Sequence, residues 1–175
     1  MAGVAQEDLE AAVRSAWALD TCDPADADDW SAANPSRGQC GSTALVIHDL
    51  LGGDLLIAEV LRTDGSRQGV HYWNLLPDGT ELDLTRDQFA DDEVLREPSI
   101  LQRPAALPNR CAEQYLTMRY RVFDALGITD RAAALATTAG SITVGDHEAD
   151  QRAHHLASVL RGWTMPPVFG PSPHE

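Results

Sequence analysis

Between Gly38 and Gly53 the chain reads GQCGSTALVIHDLLGG, and this stretch limits the possible folds more than any other. Ala44, Leu45, Val46, Ile47, Leu50 and Leu51 are apolar over most of a helix's circumference. A helix without a broad polar face has to be buried in a core. Gly52 suits a helix stop, which sets the helix start near Cys40. The rest of the chain must therefore supply cover for a helix that opens on a cysteine.

The patterns around this helix predict what that cover is. Residues 6–18 read as an amphipathic helix, with Leu9, Ala12, Val13, Ala16 and Trp17 at helical spacing. Residues 20–38 read as a solvated acidic loop carrying Asp20, Asp23, Asp26, Asp28 and Asp29; a calcium site there lacks the EF-hand spacing and the closing Glu. DLLIAEVLR at 54–62, GVHYWNLL from 69 and TELDLT from 80 read as three strands, separated by the turns TDGSRQG and PDG. Beyond residue 86 the pattern turns helical and irregular. Pro98, Pro104 and Pro108 mark a loop, 109–126 is a helix candidate ended by Gly127, and 129–138 and 146–162 add two more.

With 175 residues and one such core, a single domain over 1–175 is expected. Its parts are a helix and acidic loop over 1–38, a core helix with strands over 39–90, a helical portion over 91–163 and an extended tail over 164–175. The fold class is α+β: a buried, cysteine-bearing helix packed on an antiparallel sheet.

Composition narrows the function. A net charge of -14 repels phosphate backbones, so no nucleic acid partner is expected. The chain has no lysine, which excludes a lysine Schiff base and a P-loop. No cationic start with an apolar run opens the chain and no stretch reaches the roughly 18–20 apolar residues of a membrane span. A cytoplasmic protein without a membrane partner is the expectation. Cys22, Cys40 and Cys111 are odd in number and widely spaced, which suits free thiols better than zinc or a disulfide framework.

Among these thiols Cys40 has the chemistry. A helix start offers partial positive charge and unpaired N–H groups, which favour a thiolate and can hold an oxyanion. Gly38 and Gly41 leave room for a substrate beside it. A thiol nucleophile needs a base, and the base an orienting partner. His71 lies in the second strand and Asp83 in the third.

The turn decides whether they meet. Leu76-Pro77-Asp78-Gly79 favours a three-residue loop with a bulge at glycine. Leu76 then pairs with Thr80 and Trp73 with Asp83, which puts Asp83 one diagonal step from His71. A two-residue loop would set Asp83 opposite Asn74, on the other face, but proline disfavours that turn. Gln39 is placed either to donate its amide to an oxyanion or to brace a loop. Trp73 and Trp30 either wall the pocket or pack in the core.

Other constellations are weaker. His147, Asp150, Gln151, His154 and His155 share a helical stripe that could take zinc but lack HExxH spacing, so a solvated face is the simpler reading. His48 and Asp49 are adjacent and read as structural.

The stretches GQCGSTALVIHDLLGGDLL and GVHYWNLLPDGTELDLTRDQF resemble the small bacterial YunG-like proteins over roughly residues 14–126. More distantly, HYWNLLPDGTELDLT is similar to the transglutaminase-like pattern, including arylamine N-acetyltransferases. That resemblance implies a papain-like core with Cys40 as nucleophile, His71 as general base and then acid, and Asp83 orienting its imidazolium. Acyl transfer or amide hydrolysis on a small molecule or peptide, through a thioester and without a cofactor, is the expected activity. The alternatives are an amide-forming or cyclising biosynthetic enzyme and a non-catalytic binding module. Nothing in the residues sets an oligomeric state.

Overall fold

The structure is a computed structural model, and it describes residues 5–103, 107–108 and 110–128. Helix α1 spans Gln6–Ala16, α2 spans Cys40–Leu51 and α3 spans Ala112–Ala125. Strands β1 (Asp54–Arg62), β2 (Arg67–Leu75), β3 (Glu81–Leu82), β4 (Glu93–Leu95) and β5 (Ser99–Leu101) form one antiparallel sheet. The architecture is α+β. The expected helices over 129–138 and 146–162, the histidine stripe and the tail over 164–175 lie outside the described residues.

α2 has the cover its sequence demands. It packs against β2 and β1 on one side and α3 on the other. Six consecutive residues, Ser42 to Ile47, are buried. No single face of a helix holds six consecutive residues, so burial is close to all round. Its polar groups are satisfied inside: Thr43 Oγ1 accepts from Trp17 Nε1 at 3.0 Å, and Ala44 O accepts from Asn74 Nδ2 at 2.9 Å. α1 contributes Leu9, Val13 and Ala16 to the same core, and α3 contributes Tyr115, Met118 and Val122. At its far end α2 is tied to α3 by Asp49, which accepts from Arg103, from Tyr115 and, at 2.9 Å, from Arg119. His48 beside it is held below the usual imidazole range by burial and by Arg103, so the His48-Asp49 pair is part of a packing network.

The hairpin carrying His71 has the register its turn sequence predicts. Asn74 pairs with Leu82 and Leu75 with Glu81. Leu76 N donates to Thr80 O at 2.8 Å, and Gly79, at φ +87, donates to Leu76 O at 2.9 Å. Continued by one residue, this register sets Asp83 opposite Trp73. The third strand is shorter than expected, because the chain after Leu82 turns at Asp83 and enters a 3-10 helix at Arg86–Gln88.

Two expectations are corrected. Residues 93–101 are not helical: β4 and β5 pair in turn along the free edge of β1, β4 with Val60–Arg62 and β5 with Leu55–Ile57. Strands of three residues are too short to show alternation, and the long β1 edge supplies the ladder that local propensity does not. The acidic loop is not simply solvated. Asp20 pairs with Arg121, Asp23 with Arg110, and Asp26 and Asp29 with Arg37. Arg37 is buried and also makes a forked bond to Glu93 of β4, at 3.1 and 2.9 Å. Among the described residues, no helix is long and apolar enough to cross a membrane.

Candidate active site

The site starts at the first turn of α2. Gln39 is its N-cap, and Thr43 N donates to Gln39 O at 2.9 Å. The N–H groups ahead of Thr43 have no intrahelical acceptor. Gly38 precedes them at φ +69, and a Cβ there would stand 2.5 Å from Cys22 Sγ and 2.8 Å from Asp26 Cβ. Only glycine fits both the backbone and the space at the approach to Cys40.

Cys40 is half-buried. With Gly41 and Ser42 it lines a cavity of about 220 Å³, bounded across the way by Tyr72, Arg110 and Cys111. Asp23, Asp26 and Asp29 form the acidic side of the same cavity. The other two thiols are held protonated. Burial, then Asp26 and Asp23, push Cys22 up to about 12, and burial, then Asp23, push Cys111 up to about 12.

His71 is buried, with only 1% of its surface exposed. Its ring stacks on Trp73 at 5.4 Å and meets the edge of Phe89 at 4.8 Å, so its plane is fixed. Nε2 donates to Asp83 Oδ2 at 2.8 Å. Asp83 Oδ1 in turn accepts from Thr85 N at 3.2 Å and Thr85 Oγ1 at 3.3 Å, and Arg86 Nη1 stands 3.8 Å from Oδ2. The second ring nitrogen, Nδ1, accepts from Gln88 Nε2 at 2.8 Å. Burial presses the His71 pKa down, but its interactions with Asp83 and with Cys40 outweigh that and push it up to about 9.

The expected residues are therefore distributed unevenly. Asp83 and His71 are hydrogen-bonded, and Cys40 acts on the same imidazole, but the directed bond at Nδ1 belongs to Gln88. Gln39 is fully buried, and its amide donates to Ala18 O at 2.8 Å, so it braces the preceding loop. Gly41 lines the cavity. Trp73 and Trp30 do not. Trp73 packs with Leu56 and Ala58 in a second cluster, separate from the one α2 joins, and donates to Glu81 at 2.9 Å, while Trp30 donates to Pro35 O at 3.2 Å. Strand alternation separates Trp73 from Tyr72, the residue that reaches the cavity, and His71, on the Trp73 face, is not in the cavity lining either.

The family model described as YunG protein matches residues 5–127. The chain belongs to the YunG family. A YunG relative from Bacillus subtilis strain 168, named Uncharacterized protein YunG, is 36% identical over 91 residues, covering 51% of this chain and 71% of the relative. No solved structure matches the chain. In this YunG-family chain the matched residues include Cys40, His71, Asp83 and Gln88 together. Thr85, Arg86, Gln88 and Phe89 all act on His71 or Asp83 without having been expected from the sequence. Asp83-Leu84-Thr85 is a recognisable pattern for an aspartate accepting from the second residue on. Gln88 has no such signal, since a single 3-10 turn aims it.

Proposed function

We propose that this YunG-family chain is a cysteine-dependent acyltransferase or amide hydrolase built on a papain-like core of the transglutaminase kind. The observation that carries this reading is the 2.8 Å bond between the buried His71 and Asp83, with Cys40 acting on the same imidazole from the start of a helix that opens into a cavity. A carboxylate bound to an imidazole fixes its tautomer and stabilises the imidazolium that forms in reaction.

In this mechanism Cys40 Sγ passes its proton to His71 and attacks the acyl carbonyl. The oxyanion is held by the free N–H groups at the start of α2. The tetrahedral intermediate collapses to a Cys40 thioester as the imidazolium gives its proton to the leaving amine. Water or a second amine then attacks the thioester, with His71 as base, and the thiol is restored. The cavity of about 220 Å³ suits a small acyl group or one side chain of a peptide. No step needs a cofactor.

A second reading is a non-catalytic binding module, and one observation favours it: Nδ1, the nitrogen a thiol would need, is taken by Gln88. Alkylation separates the two. The catalytic reading expects Cys40 to react with iodoacetamide near pH 7 on the order of tenfold faster than an ordinary thiol, with Cys22 and Cys111 unmodified and the rate lowered in His71→Ala. Ordinary reactivity at Cys40 would leave the binding module standing. A Cys40 acyl adduct, trapped from candidate donors and read by mass spectrometry, would name the acyl group.

A further inference from the structure

We propose that Gln88 is a positioning residue whose amide N–H holds His71 Nδ1 as an acceptor and competes with the Cys40 thiol for that lone pair. This deepens the cysteine-dependent reading and rests on it. The geometry leaves little freedom. Trp73 and Phe89 fix the imidazole plane, and the Asp83 carboxylate requires the proton on Nε2. One in-plane lone pair remains, on Nδ1, and Gln88 Nε2 sits 2.8 Å from it.

The Gln88 backbone is held in place: the residue is buried, its backbone N–H donates to Thr85 O at 3.0 Å, and its backbone carbonyl accepts from Asn34 Nδ2 at 3.0 Å. The titratable and charged groups around the imidazole are Asp83, Arg86 behind it and Cys40 on α2. Asp83 and Cys40 favour the imidazolium. A donor at Nδ1 favours the neutral ring, because a protonated Nδ1 would face a second N–H. Gln88 therefore sets His71 to a lower proton affinity than Asp83 and Cys40 would give it. By lowering that affinity, the Gln88 amide makes the imidazole a weaker base toward the Cys40 thiol.

Two variants of the full chain test this, each read by an NMR titration of His71 and by Cys40 alkylation at pH 7. Gln88→Leu removes the donor. The His71 pKa is expected to rise by about half to one unit, and Cys40 to alkylate about three- to tenfold faster. Gln88→Glu keeps the volume and places a carboxylate at Nδ1, so a larger rise, on the order of two units, is expected. A fall of the His71 pKa in Gln88→Leu would mean that the amide presents its carbonyl to the ring, and overturns the proposal. Slower alkylation with an unmoved titration also overturns it, by reducing Gln88 to packing. If Gln88→Leu does not fold, the near-isosteric Gln88→Met decides by the same direction of shift, a fall or an unmoved titration overturning the proposal. The titration reads Gln88 whether or not Cys40 is reactive, so a wild-type Cys40 of ordinary reactivity counts against the catalytic reading and not against this one.

Discussion

Burying an imidazole strands two ring nitrogens away from water, and each then needs a partner. His71 meets that need with Asp83 on one side and Gln88 on the other. The bond to Asp83 links protonation to folding. The folded pKa of His71 lies at about 9, above the unfolded value of 6.5. Its contribution to stability is thus fully present below pH 6.5 and is lost as pH rises through 9. Asp83→Asn should therefore cost most at low pH. The stability gap between wild type and Asp83→Asn is expected to narrow as pH rises from about 6 to about 9.5. Urea denaturation of both proteins across that range checks it, and a constant gap would contradict the account. At this scale the residues with chain-local signals were legible: Cys40 from the glycine-bounded helix start, and Asp83 from the Pro-Asp-Gly turn. Trp73 and Trp30 were open to misreading because an aromatic side chain suits a pocket wall and a core equally, and only the strand face distinguishes them.

Elements whose periodicity runs over many residues were read nearly to their ends. α2 was found by its lack of a polar face, and β1 falls on the residues expected for it. β4 and β5 escaped because three-residue strands exist only through the edge of β1 that they complete. The same dependence makes α2 the element most sensitive to volume. Ile47 is 1% exposed in the middle of the buried run. Ile47→Ala is expected to lower unfolding free energy by about 2–5 kcal/mol, measured by thermal or denaturant melts. A loss below about 1 kcal/mol would mean the neighbours close over the gap, and α2 would be less tightly enclosed than described.

Across the molecule, arginine does the long-range joining. Arg37 ties the loop before α2 to β4, Arg110 ties that loop to the start of α3, and Arg121 ties α3 back to Asp20. The net charge of -14 suggests a solvated acidic loop, and only the tertiary arrangement shows where its carboxylates go. The Arg37–Glu93 pair is the one to break, since Glu93's side chain is only 3% exposed. Arg37→Met should cost about 3–5 kcal/mol by leaving that carboxylate buried without its cation. Arg37→Met combined with Glu93→Gln should recover part of the loss, and a double variant no better than the single one would argue against the pair.

The enclosure of α2 also has a consequence during synthesis. Its covers arrive late: the sheet follows it in the chain, and α3 comes after all five strands. At ~5–20 residues per second the ribosome needs roughly 4–15 s to make what separates the end of α2 from the end of α3. For that interval the most apolar helix of the described chain stands without its lid, and an unfinished chain has that surface to hide before it has the means.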